Sequence, residues 1–439
     1  MNPKVSRPRS VVPTAVINKE GVFRFAESSA ETFLSVADDI LPSHLPAGFR
    51  AYGVSCGISS IRGKKDLALF YSDKPATAAG LFTTNQVKAA PVLVSSEHVR
   101  SGRARAVVIN SGCANACTGR RGLSDARWTV RYASSRLGLP LKSVLVSSTG
   151  IIGEYLPRPP LKRGLDELIR KVDRGATPSP ADAVRAIMTT DTRPKTSCAT
   201  VKIGRSVGRL WGCAKGAGMI HPNMATMLSV ILTDILLPAP AIRAALRQAV
   251  RSSFNRVSVD GDTSTNDSIF LLANGAADGF DKVPGPLLAR RFQEALDQVC
   301  LSLSRQIAAD GEGATRTVIV RVRGARTEDQ ARRIGAVIST SPLFKTAMHG
   351  SDPNWGRIMA ALGRSGVPFR PSKVDISFGN LKVCRSGQKA AFSEKRAHGI
   401  LSRPHVVVTV HLHQGSRVVE YATCDFSRDY IDINADYHT

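Results

Sequence analysis

No apolar run in the 439 residues approaches the ~20 residues of a membrane-spanning helix, so no such helix is expected. The eight cysteines, at 56, 113, 117, 198, 213, 300, 384 and 424, include no pair at CxxC spacing. A chain this long does not need disulfide staples, which points to reduced thiols in a cytosol-like compartment. Residues 1–38 lack the apolar core of a secretory signal and carry Pro3, Pro8 and Pro13, so they read as an extension. Arg7, Arg9 and several serines fit a transit peptide, whereas Glu20, Glu27 and Glu31 argue against a long one. Acidic residues are in short supply: 35 Asp and Glu stand against 60 Lys and Arg, for a net charge of +25. Up to Ala225 the count is 33 basic against 15 acidic, and after it 27 against 20. The excess is densest at Arg120, Arg121, Arg127, Arg131, Arg136 and Lys142, with only Asp125 opposing. Neither an aromatic-interleaved RNA motif nor a helix-turn-helix accompanies it, so a solvated helix face is expected rather than a nucleic-acid surface.

What is present is an ordinary globular composition, 43% hydrophobic and 22% charged, in a chain long enough for two or three domains. Its most informative stretch is Lys215–Ser229, KGAGMIHPNMATMLS. Gly216, Gly218 and Pro222 mark a loop, and Leu228–Leu232 is a short apolar, β-branched run that reads as a strand. Between them lie Ala225 and Thr226. A threonine hydroxyl is a weak nucleophile unless a base adjoins it, and the threonine's own α-amino group can be that base. Cutting the Ala225–Thr226 bond would free that amine. The small Ala225 leaves room for the hydroxyl to attack the preceding carbonyl, and the glycines let the loop reach the geometry. On position alone, a threonine opening a strand needs no such explanation.

The whole string decides between these readings. KGAGMIHPNMATML resembles the cleavage and nucleophile segment of the ornithine acetyltransferases, also called glutamate N-acetyltransferases. The resemblance implies that Thr226 is the nucleophile and that the chain cuts itself between Ala225 and Thr226. It extends from about residue 45 to 439, through PAGFRAYGVSCGI and KKDLALFYSDKPATAAGLFTTNQVKAAPV, which look like the family's opening strands. RAVVIN (105–110) reads as a buried strand, and SGCANACTG follows it, with Cys113 where the family more often has asparagine. Residues 118–138 read as a helix capped by Thr118, with Trp128, Val130 and Leu137 among its apolar positions.

The strand Ser143–Ser147 leads into Ser148-Thr149-Gly150, able to offer a hydroxyl and a backbone N–H to one point, as an oxyanion hole requires. The resemblance assigns that role to Thr149 and Gly150. It assigns substrate contacts to Thr189 (Thr190 being the alternative), Lys215, Glu312, Asn434 and the terminal Thr439. Glu312 lies between two glycines, with Arg316 where the family usually has lysine.

Ile242, Leu246, Ala249 and Val250 form a helical stripe within 240–253, and Leu288, Phe292, Leu296, Val299, Leu303 and Ile307 form a longer one ending near Asp310. A strand Thr317–Val322 follows. VDGDTSTNDS (259–268) is a polar loop without EF-hand spacing, expected to support the active site rather than a metal. DPNWGR (352–357) reads as a packing and pocket-shaping turn. His411 and His413 alternate on a strand 405–413, and two histidines do not make a zinc site.

The expected fold class is α/β, with β-sheets layered with helices. Gly216-Ala217-Gly218 lacks the third glycine of a Rossmann fingerprint, and KGAG reverses a P-loop. The expected organisation is an extension 1–38, an α chain 39–225 and a β chain 226–439, the two chains forming one catalytic body. The resemblance implies acetyl transfer from N2-acetylornithine to glutamate through acetyl-Thr226, in cytoplasmic arginine biosynthesis. It implies no cofactor, with acetyl-CoA needed only for a second activity, no metal, no membrane, no nucleic acid, and a hetero-oligomer such as α2β2 or larger. The competing classes are a self-cleaving aminopeptidase or amidase and a basic nucleic-acid-binding protein.

Overall fold

A computed structural model of the chain describes residues 16–17, 23–24, 44–221 and 227–436. The chain divides into two compact units, Met1–Ala37 and Asp38–Thr439. In the first, Val16–Ile17 and Phe23–Arg24 pair antiparallel. The second is α/β, built on two mixed sheets, and is not a Rossmann fold. Among the described residues the first sheet has eight strands. Its order is Val144–Ser148, Arg103–Asn110, Leu67–Phe82, Ser268–Ala273, Leu228–Thr233, Ser206–Lys215, Lys195–Ile203, with Phe49–Val54 added beside Leu67–Phe82. The second has seven, in the order Val257–Ser258, Arg417–Cys424, Thr317–Ala325, His405–His411, Asp375–Phe378, Leu381–Arg385, Gln388–Lys389.

Leu228–Thr233 shows why these residues choose this place. Every residue of the strand is buried, between a parallel neighbour and an antiparallel one. Leu228, Val230 and Leu232 enter the core on one face of the sheet, and Ile231 enters the core on the other. A continuous apolar run is what a strand covered on both faces requires. The second of these cores also takes the stripes of helices Ala239–Ser252 and Gly285–Ala309, together with Ile319 and Ala422 of the second sheet. Each apolar position expected on those two stripes is buried there. On the second sheet's other core, helices Glu328–Ser339, Pro342–His349 and Trp355–Gly363 pack over Val318, Val320 and Val322.

Three local expectations change. KAAPV is not strand: Pro91 opens a helix, Ala90–His98, where its missing N–H costs nothing. Thr118 stands at the N-cap of helix Gly119–Arg136 without capping it, because its hydroxyl donates instead to Asn115 Oδ1 at 2.8 Å. The strand holding His411 ends there. His413 lies beyond it in the left-handed region (φ 52°), its ring centroid 3.8 Å from that of His411 with the planes tilted by 52°, and its Nε2 3.2 Å from Asp375. In DPNWGR, Asn354 caps the helix Trp355–Gly363 by accepting from the Arg357 amide, so this turn serves packing around the second sheet. Arg316 Nη1 reaches the carbonyls of Met348 and Leu401 and the hydroxyl of Ser351, all within 2.7 Å.

Two buried carboxylate systems carry the site. Asp66 accepts the backbone N–H groups of Cys56, Gly57, Ile58 and Ser59, at 2.6–3.0 Å. The loop so fixed lies against Gly112, where a Cβ would come within 2.8 Å of Ser59 Cα. Farther along, fully buried Lys195 donates to Asp191 at 2.6 Å and to Asp310. Asp310 also receives the amide and hydroxyl of Thr192. Burial alone would raise the pKa of Asp191, but the charges of Lys195 and Lys215, with hydrogen bonds from Lys195 and the Gly216 amide, hold it at about 2.

Removing one member of a buried ion network leaves the others uncompensated. Lys195→Met is therefore expected to lower stability by about 3–5 kcal/mol, read from the urea midpoint; an unchanged midpoint would contradict a structural role. Asp191 has a folded pKa below its unfolded value near 4, so its stabilisation is complete above about pH 4 and is lost as pH falls toward 2. Urea midpoints of wild type and Asp191→Asn should converge over that acid window and differ above it.

Candidate active site

The strand Val144–Ser148 pairs in parallel with Arg103–Asn110 and delivers Thr149 and Gly150 at its end. Thr149 uses its own backbone N–H, which donates to the Asn110 carbonyl at 3.0 Å. Among the described residues, neither its hydroxyl nor the Gly150 N–H is engaged by the fold, so these are the two donors left for a ligand. Gly150 has φ 127°, and a Cβ there would meet the Gly112 carbonyl carbon at 2.4 Å. Only glycine fits. Cys113 bridges Thr149 through its backbone, while its Sγ turns to the Glu154 carbonyl. The side chain that departs from the family pattern therefore points away from the two donors.

The loop 259–268 supplies the links that sequence reasoning left unassigned. Asn266 Nδ2 donates to the Ala114 carbonyl at 2.7 Å and to the Ser148 carbonyl at 2.8 Å. Asp267 Oδ1 accepts the Met227 N–H at 2.8 Å, and the Met227 carbonyl accepts from Ser268 at 3.2 Å. At the loop's other end Asp260 accepts the amides of Met219, Ile220 and Asp262. Burial raises the Asp260 pKa to about 6 against those hydrogen bonds. The only sequence signal for these roles was three aspartates in one polar loop. Ala225 and Thr226 themselves lie outside the described residues, as does Thr439; the described segments on either side of residues 222–226 are held by Asp260 and Asp267.

A third group of side chains meets beside them. Lys215 Nζ donates to Thr189 Oγ1 at 3.0 Å. The two carboxylate oxygens of Asp191 accept the amides of Thr189 and Gly216 at 3.0 and 2.7 Å, which fixes both partners. Burial pushes the Lys215 pKa down, opposed by Asp191, Asp267 and Glu312. Glu312 donates its amide to the Ala217 carbonyl, and its carboxylate lies so close to Gly218 that a Cβ there would fall 2.3 Å from Oε2. Asn434 Nδ2 donates to that same oxygen at 2.9 Å. Thr189, Lys215, Glu312 and Asn434 thus come together from four distant stretches of the chain. Of the two threonines weighed, Thr189 is the one joined to Lys215.

An ammonium, a carboxylate and an amide arranged this way can hold a small zwitterion, next to a segment carrying a threonine and a strand end offering two free donors. That arrangement suits acyl transfer between amines. Among the described residues no three His, Cys, Asp or Glu side chains converge as a metal site.

Comparison with known proteins agrees with this chemistry. The model of the ArgJ family matches residues 50–439. The arginine biosynthesis bifunctional protein ArgJ of Symbiobacterium thermophilum is 46% identical over 396 residues, covering 90% of this chain and 98% of its own length. That of Geobacillus stearothermophilus is 42% identical over 396 residues, covering 90% of this chain and 95% of its own. Among solved structures, the ArgJ protein of Bacillus halodurans is 36% identical, with a TM-score of 0.46, covering 48% of this chain and all of that one. Matched along nearly its whole second unit at this identity, the chain belongs to the ArgJ family.

Proposed function

We propose that the protein is a glutamate N-acetyltransferase of arginine biosynthesis, moving the acetyl group of N2-acetylornithine to glutamate through an acetyl-Thr226 intermediate. The observation that carries this reading is the meeting of Lys215, Thr189, Glu312 and Asn434 beside the segment that leads into Thr226.

The chemistry begins with the chain itself. The Thr226 hydroxyl attacks the Ala225 carbonyl and the C–N bond breaks, leaving an ester and a free α-amine. Water then hydrolyses the ester, producing chains of 225 and 214 residues. In transfer, the new amine takes the hydroxyl proton as Oγ attacks the acetyl carbon. The Thr149 hydroxyl and the Gly150 N–H hold the developing oxyanion. The C–N bond to ornithine breaks, its amine receives the proton, and ornithine leaves. Glutamate enters, its α-amine attacks acetyl-Thr226, and N-acetylglutamate departs as Oγ regains a proton. Glu312 receives the substrate ammonium, Lys215 and Thr189 the other end, and Asn434 and Thr439 close the site.

No cofactor is required, since the acetyl group passes directly between amines; acetyl-CoA is needed only if direct acetylation of glutamate is a second activity. The two chains remain associated as α2β2 or a larger assembly. No helix among the described residues is long and apolar enough to cross a membrane, and the reading is of a cytoplasmic enzyme.

Thr226→Ala should remain a single chain of 47.0 kDa by intact mass and be inactive; a cut or active variant refutes the assignment. Thr149→Ala should slow transfer by roughly ten- to a thousandfold without changing the thermal midpoint, and an unchanged kcat would remove Thr149 from the oxyanion role. Consumption of N-acetylornithine should depend on glutamate. Equal release of ornithine without glutamate would make the enzyme a hydrolase of the aminopeptidase or amidase class.

A further inference from the structure

Asp267 is fully buried, and its two oxygens have different fates. Oδ1 accepts the Met227 N–H at 2.8 Å, while Oδ2 has no hydrogen-bond partner among the described residues. A buried polar atom left unpaired is costly, so apolar packing would be the more stable choice at this position. The backbone around it is tightly tied. The Asp267 carbonyl accepts the Thr83 N–H at 3.1 Å, and Ser268 N–H holds the Met227 carbonyl at 3.2 Å. Its neighbour Asn266 is equally buried, accepts the Thr265 hydroxyl at 2.6 Å, and spends both amide protons on the carbonyls of Ala114 and Ser148. Ser148 immediately precedes Thr149, and Met227 immediately follows Thr226.

We propose that Asn266 and Asp267 form a positioning pair that sets the nucleophile at its working distance from the oxyanion donors, Asp267 through the Met227 amide and Asn266 through the Ser148 carbonyl. Two adjacent residues on one strand-leading turn then act as a short strut between the parts of the site that must meet in the transition state. Such parts tolerate little error, since a misplacement of about 1 Å can cost a hundredfold in rate. Burial pushes the Asp267 pKa well above the ordinary carboxylate range, with the Met227 amide and Lys215 opposing. Neither residue contacts the substrate in this scheme; both act through the backbone they hold.

The inference rests on Thr226 as the nucleophile, and the test separates the two. The variants Asp267→Ala, Asp267→Asn and Asp267→Glu are followed by intact mass for self-cleavage, then assayed for kcat per cut chain and for KM toward N-acetylornithine. Alanine should slow self-cleavage and lower kcat by roughly ten- to a thousandfold with KM within about twofold. Asparagine keeps an oxygen able to accept the Met227 N–H and should return kcat to within about tenfold of wild type. Glutamate keeps the carboxyl but moves it by one methylene and should fall with alanine. A kcat for alanine within twofold of wild type overturns the proposal, as does a loss confined to KM. If alanine does not fold, equal kcat values for asparagine and glutamate overturn it. A Thr226→Ala chain that is still cut or active defeats the nucleophile instead, whatever the Asp267 variants show.

Discussion

The charge held inside the protein by Lys195 is the constraint on which the substrate side of the site depends. An ammonium out of water is costly, and two carboxylates facing each other without it would repel. Together the three groups satisfy one another, Asp191 and Lys195 from one stretch of chain and Asp310 from another more than a hundred residues on. Asp191 sits in the turn that carries Thr189, Lys195 opens an edge strand, and Asp310 ends the long helix two residues before Glu312. Asp191 also fixes Gly216, the residue after Lys215. The positions of Thr189, Lys215 and Glu312 are therefore coupled to one buried cation. None of them could shift by much without exposing a charge.

Carboxylates that accept backbone N–H groups do the corresponding work around the proposed nucleophile. Asp66 gathers four amides of loop 56–59, which lies against Gly112, and Gly112 in turn leaves space only for a glycine at 150. Asp260 grips the loop before the Ala225–Thr226 bond and Asp267 grips the residue after Thr226. In the proposed mechanism this loop is cut and its new end acts as a catalyst, and such a loop cannot be held by regular ladders alone. Buried acceptors reach irregular backbone where a neighbouring strand cannot.

This division explains what was legible in the sequence. Leu228–Thr233 and the helix Gly285–Ala309 declared themselves through unbroken or periodic apolar residues, because burial on a sheet or a helix face leaves a periodic trace. The candidate site residues Thr149, Gly150, Thr189, Lys215, Glu312 and Asn434 were named only through whole strings, since nothing in the spacing of residues 189, 215, 312 and 434 indicates that they meet. Lys195, Asp66, Asn266 and Asp267 left almost no trace, because a single polar residue in a loop or at a strand end looks the same whether it is solvated or holds several buried partners. Thr118 and His413 were misplaced for a related reason. A side chain or a left-handed backbone found a nearby partner, Asn115 in one case and the His411 ring in the other, that outweighed the local preference.

The sheet also bears on why a cut in mid-chain need not separate the halves. Residues after 226 supply two adjacent strands of the first sheet, Leu228–Thr233 and Ser268–Ala273. On one side these pair with Leu67–Phe82 and on the other with Ser206–Lys215, both from the first half. The pair is enclosed by strands of the other half, and every residue in both strands is buried. Separation would break two backbone ladders at once and open the cores on both faces, whereas cleavage of one loop bond breaks neither ladder. In the proposed mechanism, placing the cut at the entrance to an interior strand is what reconciles a free amino terminus with a rigid site. Such a cut would lie directly before Met227, whose amide and carbonyl are already held by Asp267 and Ser268.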